Sequence, residues 1–227
     1  MRDEAIPEMA LRGLKAVLRP ARRRLLGAVE RSEKDYATHI PILLGLARVA
    51  RVENVLELGC GHYSTLTFLN RVGFPSLVAL KSLETDQVWL EKISATVSND
   101  RRVRTELVHG AMRSIIEEID LEDYDLIFVD DSTSGDERAA TIRSLAARRP
   151  KRAVVAVHDF EIQAYRDAVS PFQHQLTFKA FNPQTGIVWN EEKDLTKGLR
   201  RASAIFKRYA KTLEPDDVSG WSRVLTV

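Results

Sequence analysis

From residue 52 onward the sequence switches period again and again. Runs that read as strands, NVLELG (54–59), LVALKSLE (77–84), VRTELVHG (103–110), YDLIFVDD (124–131) and AVVAVHD (153–159), alternate with stretches whose apolar residues recur every three or four positions. The second kind reads as helices over 64–72, 86–97, 111–119, 136–148 and 161–169. A strand–helix–strand repeat needs a crossover connection, so these strands run parallel in one sheet with helices over both faces. The central runs are nearly continuous Val, Ile, Leu and Ala, as strands covered on both sides require. The fold class is therefore α/β with a doubly wound sheet. In detail, the helix from Ser64 is expected to stop at Gly73. The helix from Asp86 is expected to be capped by that aspartate, with Trp89, Ile93 and Val97 on its core face.

The rhythm then breaks. HQLTFKAF (174–181) and TGIVWN (185–190) are joined by Asn182, Pro183 and Gln184, with no room for a helix. Such a connection makes an antiparallel hairpin closing the sheet. Ahead of the first strand, HIPILLGLARVA (39–50) reads as a buried helix with Pro41 in its first turn. The chain thus divides into a basic helical cap over 1–38, an α/β domain over 39–190, and an extension over 191–227 that starts highly charged and continues as helix and an irregular end. The cap carries Arg22, Arg23 and Arg24 beside Leu25 and Leu26, and is read mainly as a solvated helix split at Pro20. Net charge is only +2, which gives no global field for nucleic acid. With one cysteine, Cys60, there is no disulfide framework, and MRDEAIPEMA lacks the apolar core of a signal peptide. A cytoplasmic protein without a membrane span is expected; a homo-oligomer stays open.

The functional signal lies in VLELGCGHYSTLTFL (55–69). Ligands of open α/β sheets bind beyond the carboxyl ends of the strands, beside the first strand. Gly59 and Gly61 stand at that end, where bare backbone lets a ligand approach, and the helix starting near Ser64 turns free amides toward the same crevice. Glu84 ends the second strand, where an acid can accept from both ribose hydroxyls. A nucleoside-containing cofactor is implied. A dinucleotide favours three glycines around its pyrophosphate, and here Ser64 holds the third place. S-adenosylmethionine has a ribose and no phosphate, and suits GCGHYS better.

VLELGCG, SLETD, YDLIFVDD, VVAVHD and the closing hairpin together resemble the class I S-adenosylmethionine-dependent methyltransferases, over roughly residues 40–190. Within them the pattern is closest to the small-molecule O-methyltransferases of the catechol type and to bacterial relatives of unassigned substrate. The resemblance implies a Rossmann-like sheet of order 3-2-1-4-5-7-6 with strand 7 antiparallel. It places Glu57, Gly59, Gly61 and Tyr63 along the methionine and ribose, Glu84 on the ribose, Ala111 and Met112 by the adenine, and Asp130 near the methionine amine. His62 either contacts cofactor or faces water, and Ser64 opens the helix beside it.

A hydroxyl acceptor must lose its proton, which takes a base or a metal. Asp130, Asp131, His158 and Asp159 end strands four and five beside the crevice. Catechol-type enzymes hold Mg²⁺ there with two aspartates and an asparagine. Asp130 and Asp159 match the aspartates, but Phe160 replaces the asparagine and Thr133 replaces a lysine base. The expected catalytic set is therefore Asp130, His158 as base, and Asp159, with Mg²⁺ between the two aspartates as an optional addition. Other residues have plainer readings: Asp131 as a cap or in solvent, 136–149 as a solvated helix, His109 as structural, His39 and His174 as uninvolved, Cys60 as a small residue fitted into the corner, and Trp189 as packing on the sheet. The leading function is methyl transfer to a small-molecule acceptor, with oxygen as the expected atom. A nicotinamide-dependent oxidoreductase and a non-catalytic cofactor- or RNA-binding module using the basic cap are the alternatives. DDST after strand four is not the Asn-Pro-Pro-Tyr type of motif that methylates nucleobase amines, so no nucleic-acid substrate is expected.

Overall fold

The computed structural model describes residues 33–190 and 195–225. The basic cap expected over 1–38 lies outside the described residues for its first 32, as do 191–194, where the charged extension begins. Seven strands form one sheet: β1 Asn54–Leu58, β2 Ala79–Glu84, β3 Val103–Leu107, β4 Leu126–Val129, β5 Val154–His158, β6 His174–Phe178 and β7 Thr185–Trp189. Their order is β3-β2-β1-β4-β5-β7-β6. Strands β1 to β5 are parallel, and β7 is antiparallel to both β5 and β6, so the hairpin and the strand order expected from the sequence are present. The chain winds one way through β1, β2 and β3 and the other way through β4 and β5. The switch falls between β1 and β4, and in open α/β sheets ligands bind beyond the carboxyl ends of the strands at this place.

Alternation along each strand sends side chains to opposite faces. Val55, Leu126, Phe128, Val154 and Ala156 join one core, covered by α1 (Ile40–Val49), α2 (His62–Leu69), α7 (Leu195–Tyr209) and α8 (Val218–Leu225). Leu56, Leu58, Ile127, Val129, Val155 and Val157 join the other, covered by α4 (Met112–Glu118), α5 (Gly135–Arg148) and α6 (Gln163–Ala168). α3 (Gln87–Val97) lies along β2 and β3, burying Ile93 and Val97. Among the described residues no helix is long and apolar enough to cross a membrane.

Two boundaries differ from the sequence reading. α2 ends at Leu69, short of Gly73, because the Asn70 side chain accepts from the amides of Val72 and Gly73 at 3.0 and 2.9 Å and folds the chain into a turn. The end of the chain, expected to be irregular, contains α8. Trp221 of α8 is fully buried, with its ring edge-on to Phe206 at 5.6 Å and its indole donating to the Glu214 carbonyl. Leu195, Leu199, Ala202 and Phe206 of α7 recur at helical spacing and face the first core. The Phe206 ring lies so close under Gly45 of α1 that a side chain there would touch it at 2.9 Å.

Candidate active site

At the carboxyl end of β1 the backbone turns through Gly59, whose φ is +87°. Its amide donates to the Leu83 carbonyl at 2.9 Å, and a Cβ here would lie 2.2 Å from the Asp130 carbonyl oxygen. Only glycine fits a turn wedged between β2 and β4 in this way. Gly61, extended, is the N-cap of α2. Its amide donates to the Thr65 hydroxyl at 3.1 Å, which in turn donates to Glu57 Oε2 at 2.7 Å, and the Ser82 hydroxyl donates to the same oxygen at 2.5 Å. Glu57 is fully buried, and burial, opposed by the hydroxyls of Ser64, Ser82 and Thr65, pushes its pKa up to about 7. It braces the glycine loop from beneath. Ser64 is buried beside it, His62 is exposed, and Tyr63 is half-buried with its ring against the His62 ring.

Glu84 ends β2 on the same side of the sheet as this corner. Its Oε1 accepts from the amides of Thr85 and Asp86 at 2.7 and 3.0 Å, which fixes the carboxylate, while Oε2 lies 3.7 Å from Cys60 Sγ. Cys60 is buried in the corner, and burial together with Glu84 pushes its thiol up, so it is no nucleophile. Beyond Glu84 the end of β3 leads through Gly110, at φ +100°, to Ala111, the exposed N-cap of α4, with Met112 buried behind it. Trp89, expected on the core face of α3, is instead 37% exposed. Its indole donates to the Cys60 carbonyl at 2.6 Å, so it faces the glycine loop, with Lys92 Nζ over its ring at 4.8 Å. The reason is its place one turn into a helix that Asp86 caps, accepting the Trp89 amide at 2.9 Å: that position reaches the crevice rather than the sheet.

The carboxyl ends of β4 and β5 carry a second group of side chains. His158 is 1% exposed. Its Nδ1 lies 3.3 Å from Asp130 Oδ2, and its Nε2 lies 3.1 Å from the Thr38 hydroxyl, which donates to the Asp35 carbonyl. Burial works against charge on His158, but Asp130 outweighs it and raises the pKa above the ordinary histidine value. Burial likewise opposes charge on Asp130, yet His158 and Arg138 hold it well below the usual carboxylate range. His39, expected to lie away from the crevice, packs edge-on against His158 at 4.9 Å and on Phe128. Burial first, then the neighbouring His158, lowers its pKa to about 3, so it is neutral, and neither of its ring nitrogens has a hydrogen-bond partner among the described residues. Ligand atoms of His39, Asp130 and His158 all lie within 4.8 Å of one another.

Arg138 corrects the reading of 136–149 as a solvated helix. It is buried at the start of α5, with Nη2 2.7 Å from Asp130 Oδ1, Nη1 3.1 Å from Asp159 Oδ2, and Nη2 also on the Ser132 carbonyl at 2.5 Å. Asp131, expected as a cap or in solvent, is buried too, accepts from the Thr141 hydroxyl at 2.6 Å, and has its pKa raised by burial. Phe160 turns away into the second core under Gly186, and Thr133 is exposed. The two carboxylates considered for Mg²⁺ are thus already joined by one guanidinium, and a divalent ion shared by Asp130 and Asp159 does not fit these residues. His109 is exposed, and His174 stacks on the buried Trp189 at the hairpin, remote in the fold from the crevice. Thr38, His39 and Arg138 are the members of the cluster that sequence reasoning does not find. Arg138 did carry a signal, since it shares helical spacing with Ile142 and Leu145 on the buried face of α5.

No protein-family model matches the chain, and no curated protein matches it. Solved structures do. The SAH-bound methyltransferase of Podospora anserina has a TM-score of 0.54, at 14% identity, over 83% of this chain and 98% of that one. A methyltransferase from Geobacter sulfurreducens scores 0.48, at 15% identity, over 83% of this chain and 91% of that one. The N-methyltransferase NodS from Bradyrhizobium japonicum, in complex with S-adenosyl-L-homocysteine, scores 0.47, at 11% identity, over 70% and 87%. At such identities the likeness is one of fold. Taken with a strand order that ends in an antiparallel β7, it means that this chain has the fold of the class I S-adenosylmethionine-dependent methyltransferases.

Proposed function

We propose that the chain is an S-adenosylmethionine-dependent methyltransferase acting on a small-molecule acceptor, at oxygen. One observation carries the reading: Glu84 and the Gly59 turn meet on one side of the sheet, with Cys60 Sγ 3.7 Å from Glu84 Oε2 and the other carboxylate oxygen fixed by two amides. That leaves a preorganised acceptor for ribose hydroxyls beside a corner stripped of side chains. The residues fit the cofactor: Ala111 and Met112 follow β3 where the adenine would lie, and the His62 and Tyr63 rings rim the loop.

Bound S-adenosylmethionine would supply a methyl group on a sulfonium, displaced in line. The residues of the chain hold and move the acceptor proton. His158 is the group for this: Asp130 backs its Nδ1, as a carboxylate orients a base, and its Nε2, which here donates to the Thr38 hydroxyl, becomes the proton acceptor once the ring is neutral. The neutral form does the work, so the step requires a pH above the raised pKa of His158. Asp159 acts through Arg138 and is a positioning residue in this reading.

Calorimetry with S-adenosylhomocysteine tests the cofactor. The folded chain should bind it, and Glu84→Gln should weaken binding about 10–100-fold, the worth of hydrogen bonds to a charged acceptor. A folded wild-type chain that binds no S-adenosylhomocysteine at millimolar concentration, or one that binds NADH instead, defeats the reading.

A further inference from the structure

We infer that Arg138 is a built-in replacement for a divalent cation: its guanidinium occupies the position between the ends of β4 and β5 that a metal ion would take, and the chain therefore holds its own counter-charge there. The proposal does not depend on methyl transfer and goes beyond it.

The placement is unusual for an arginine. Arg138 lies in the first turn of α5, where free backbone amides give the helix its positive end and a cation is disfavoured. It is also buried, with only 5% of its side chain exposed. A guanidinium tolerates both conditions only where anions surround it. Here they do. Asp130 arrives from β4 and Asp159 from β5, each giving one oxygen to a different terminal nitrogen, at 2.7 and 3.1 Å. The Ser132 carbonyl takes a further N–H, Asp131 Oδ1 lies 3.9 Å from Nε, and the Tyr165 ring lies 5.6 Å from the guanidinium carbon. The two carboxylates and the carbonyl around this delocalised cation are hard-oxygen donors of the kind that bind Mg²⁺ or Mn²⁺. Asp159 reaches this position with φ +54°, a conformation rare for a residue with a side chain, so the backbone is bent to deliver the carboxylate.

Charge balance points the same way. Arg138 lies between the carboxylates of Asp130 and Asp159, and His158 Nδ1 lies 3.3 Å from Asp130, so the two acidic side chains already have two basic partners. A divalent ion placed on the same carboxylates would sit beside a guanidinium in a water-poor site and meet repulsion that neither partner can escape. Taking away the guanidinium reverses this: Asp159, buried, and Asp130, partly exposed, would then stand together with only His158 beside them, and a divalent cation would restore the balance.

Mn²⁺ serves as the probe, titrated by calorimetry into the purified full-length chain and into Arg138→Met. The wild type should show no saturable site. Arg138→Met should gain one, its thermal midpoint should climb with Mn²⁺ concentration, and both gains should vanish in Arg138→Met with Asp159→Asn. If Arg138→Met does not fold alone, circular dichroism with added Mn²⁺ decides: recovery of secondary structure supports the inference and no recovery overturns it. A folded Arg138→Met without an Mn²⁺ site overturns it as well. So does a wild-type chain that binds Mn²⁺, or Zn²⁺ through His39, Asp130 and His158, at a site lost in Asp130→Asn.

Discussion

The two halves of the crevice are built in opposite ways. At the ends of β1 and β2 the site is mostly backbone: a left-handed glycine, a helix start, and a carboxylate held by the two amides that follow it in sequence. At the ends of β4 and β5 the site is side chains from four distant segments, with Thr38, His39, Arg138, His158 and the aspartates meeting across separations as large as 120 residues. The first half is rigid because main-chain groups and hydroxyl side chains close its hydrogen bonds, some of them within the turn and others between β1 and β2. The second is rigid because its charges neutralise one another. A cofactor that is the same in every reaction suits the first kind, and an acceptor that differs from enzyme to enzyme suits the second.

If that division of labour is real, damage to one half should spare the other. The largest effect is expected from His158→Asn, which removes the base and keeps a polar side chain. The methyl-transfer rate should fall about 10²–10⁴-fold, while affinity for S-adenosylhomocysteine changes little. An equal loss of affinity would erase the distinction. In the wild type the rate should rise with pH through a pKa above the ordinary 6.5 of histidine, because the reaction needs the neutral ring and the folded state favours the charged one. Stability runs the other way. A pKa raised by folding contributes stability that is complete below the unfolded value and lost as pH climbs through the folded one. Activity should therefore increase over the same pH window in which the denaturation midpoint declines.

Gly59→Ala attacks the other half. The left-handed backbone alone costs an alanine about 1–2 kcal/mol, and the new methyl would stand 2.2 Å from the Asp130 carbonyl, which is main chain and cannot swing aside. A total loss of more than about 3 kcal/mol is expected in urea denaturation, among the larger single-residue effects. A loss below about 1 kcal/mol would show that β1 and β4 part easily, and the corner would not be the preorganised element described here.

This contrast also explains what the sequence could convey. Gly59, Gly61 and Glu84 were legible because each works where it stands, at the end of its own strand. The alternation of period gave the parallel strands, and the short Asn-Pro connection gave the hairpin. His39 was passed over because nothing in HIPILL says that the N-cap of α1 abuts the end of β5, more than a hundred residues on. Arg138 was assigned to solvent from its charge, although Ala139, Ile142 and Leu145 mark its helix face as buried. Helical spacing with Ile93 and Val97 points Trp89 to the core, whereas a hydrogen bond to a loop carbonyl decides its orientation. Each miss is a tertiary contact overriding a local rule.

Glu57 underlies the glycine half, since it supports the glycine loop from within the sheet through Thr65 and Ser82, and it offers a measurement on the fold alone. Burial raises its pKa to about 7 from 4.5, so the unfolded chain loses this proton before the folded chain does. Stability should accordingly drop as pH rises through that interval, by no more than about 3 kcal/mol. Glu57→Gln keeps the hydrogen bonds of a neutral carboxamide and should flatten the decline. An unchanged slope would mean that Glu57 is ionised in the folded protein and that its three hydroxyl donors outweigh burial.

The smallest effect should come from Trp89→Phe. The phenyl ring keeps most of the apolar contact and loses one hydrogen bond to the Cys60 carbonyl, worth about 1 kcal/mol, or roughly five-fold in affinity for S-adenosylhomocysteine. The substitution also tests position by light. Of the three tryptophans, Trp189 and Trp221 are buried and Trp89 alone is exposed, so emission from the wild type should shift on binding and the shift should disappear in the variant. A cofactor seated on the glycine loop must disturb the indole that holds the loop's carbonyl. If affinity and emission both stay as they were, the Cys60 carbonyl forms no wall of the pocket, and the cofactor half of the crevice narrows to the Gly59 turn and Glu84.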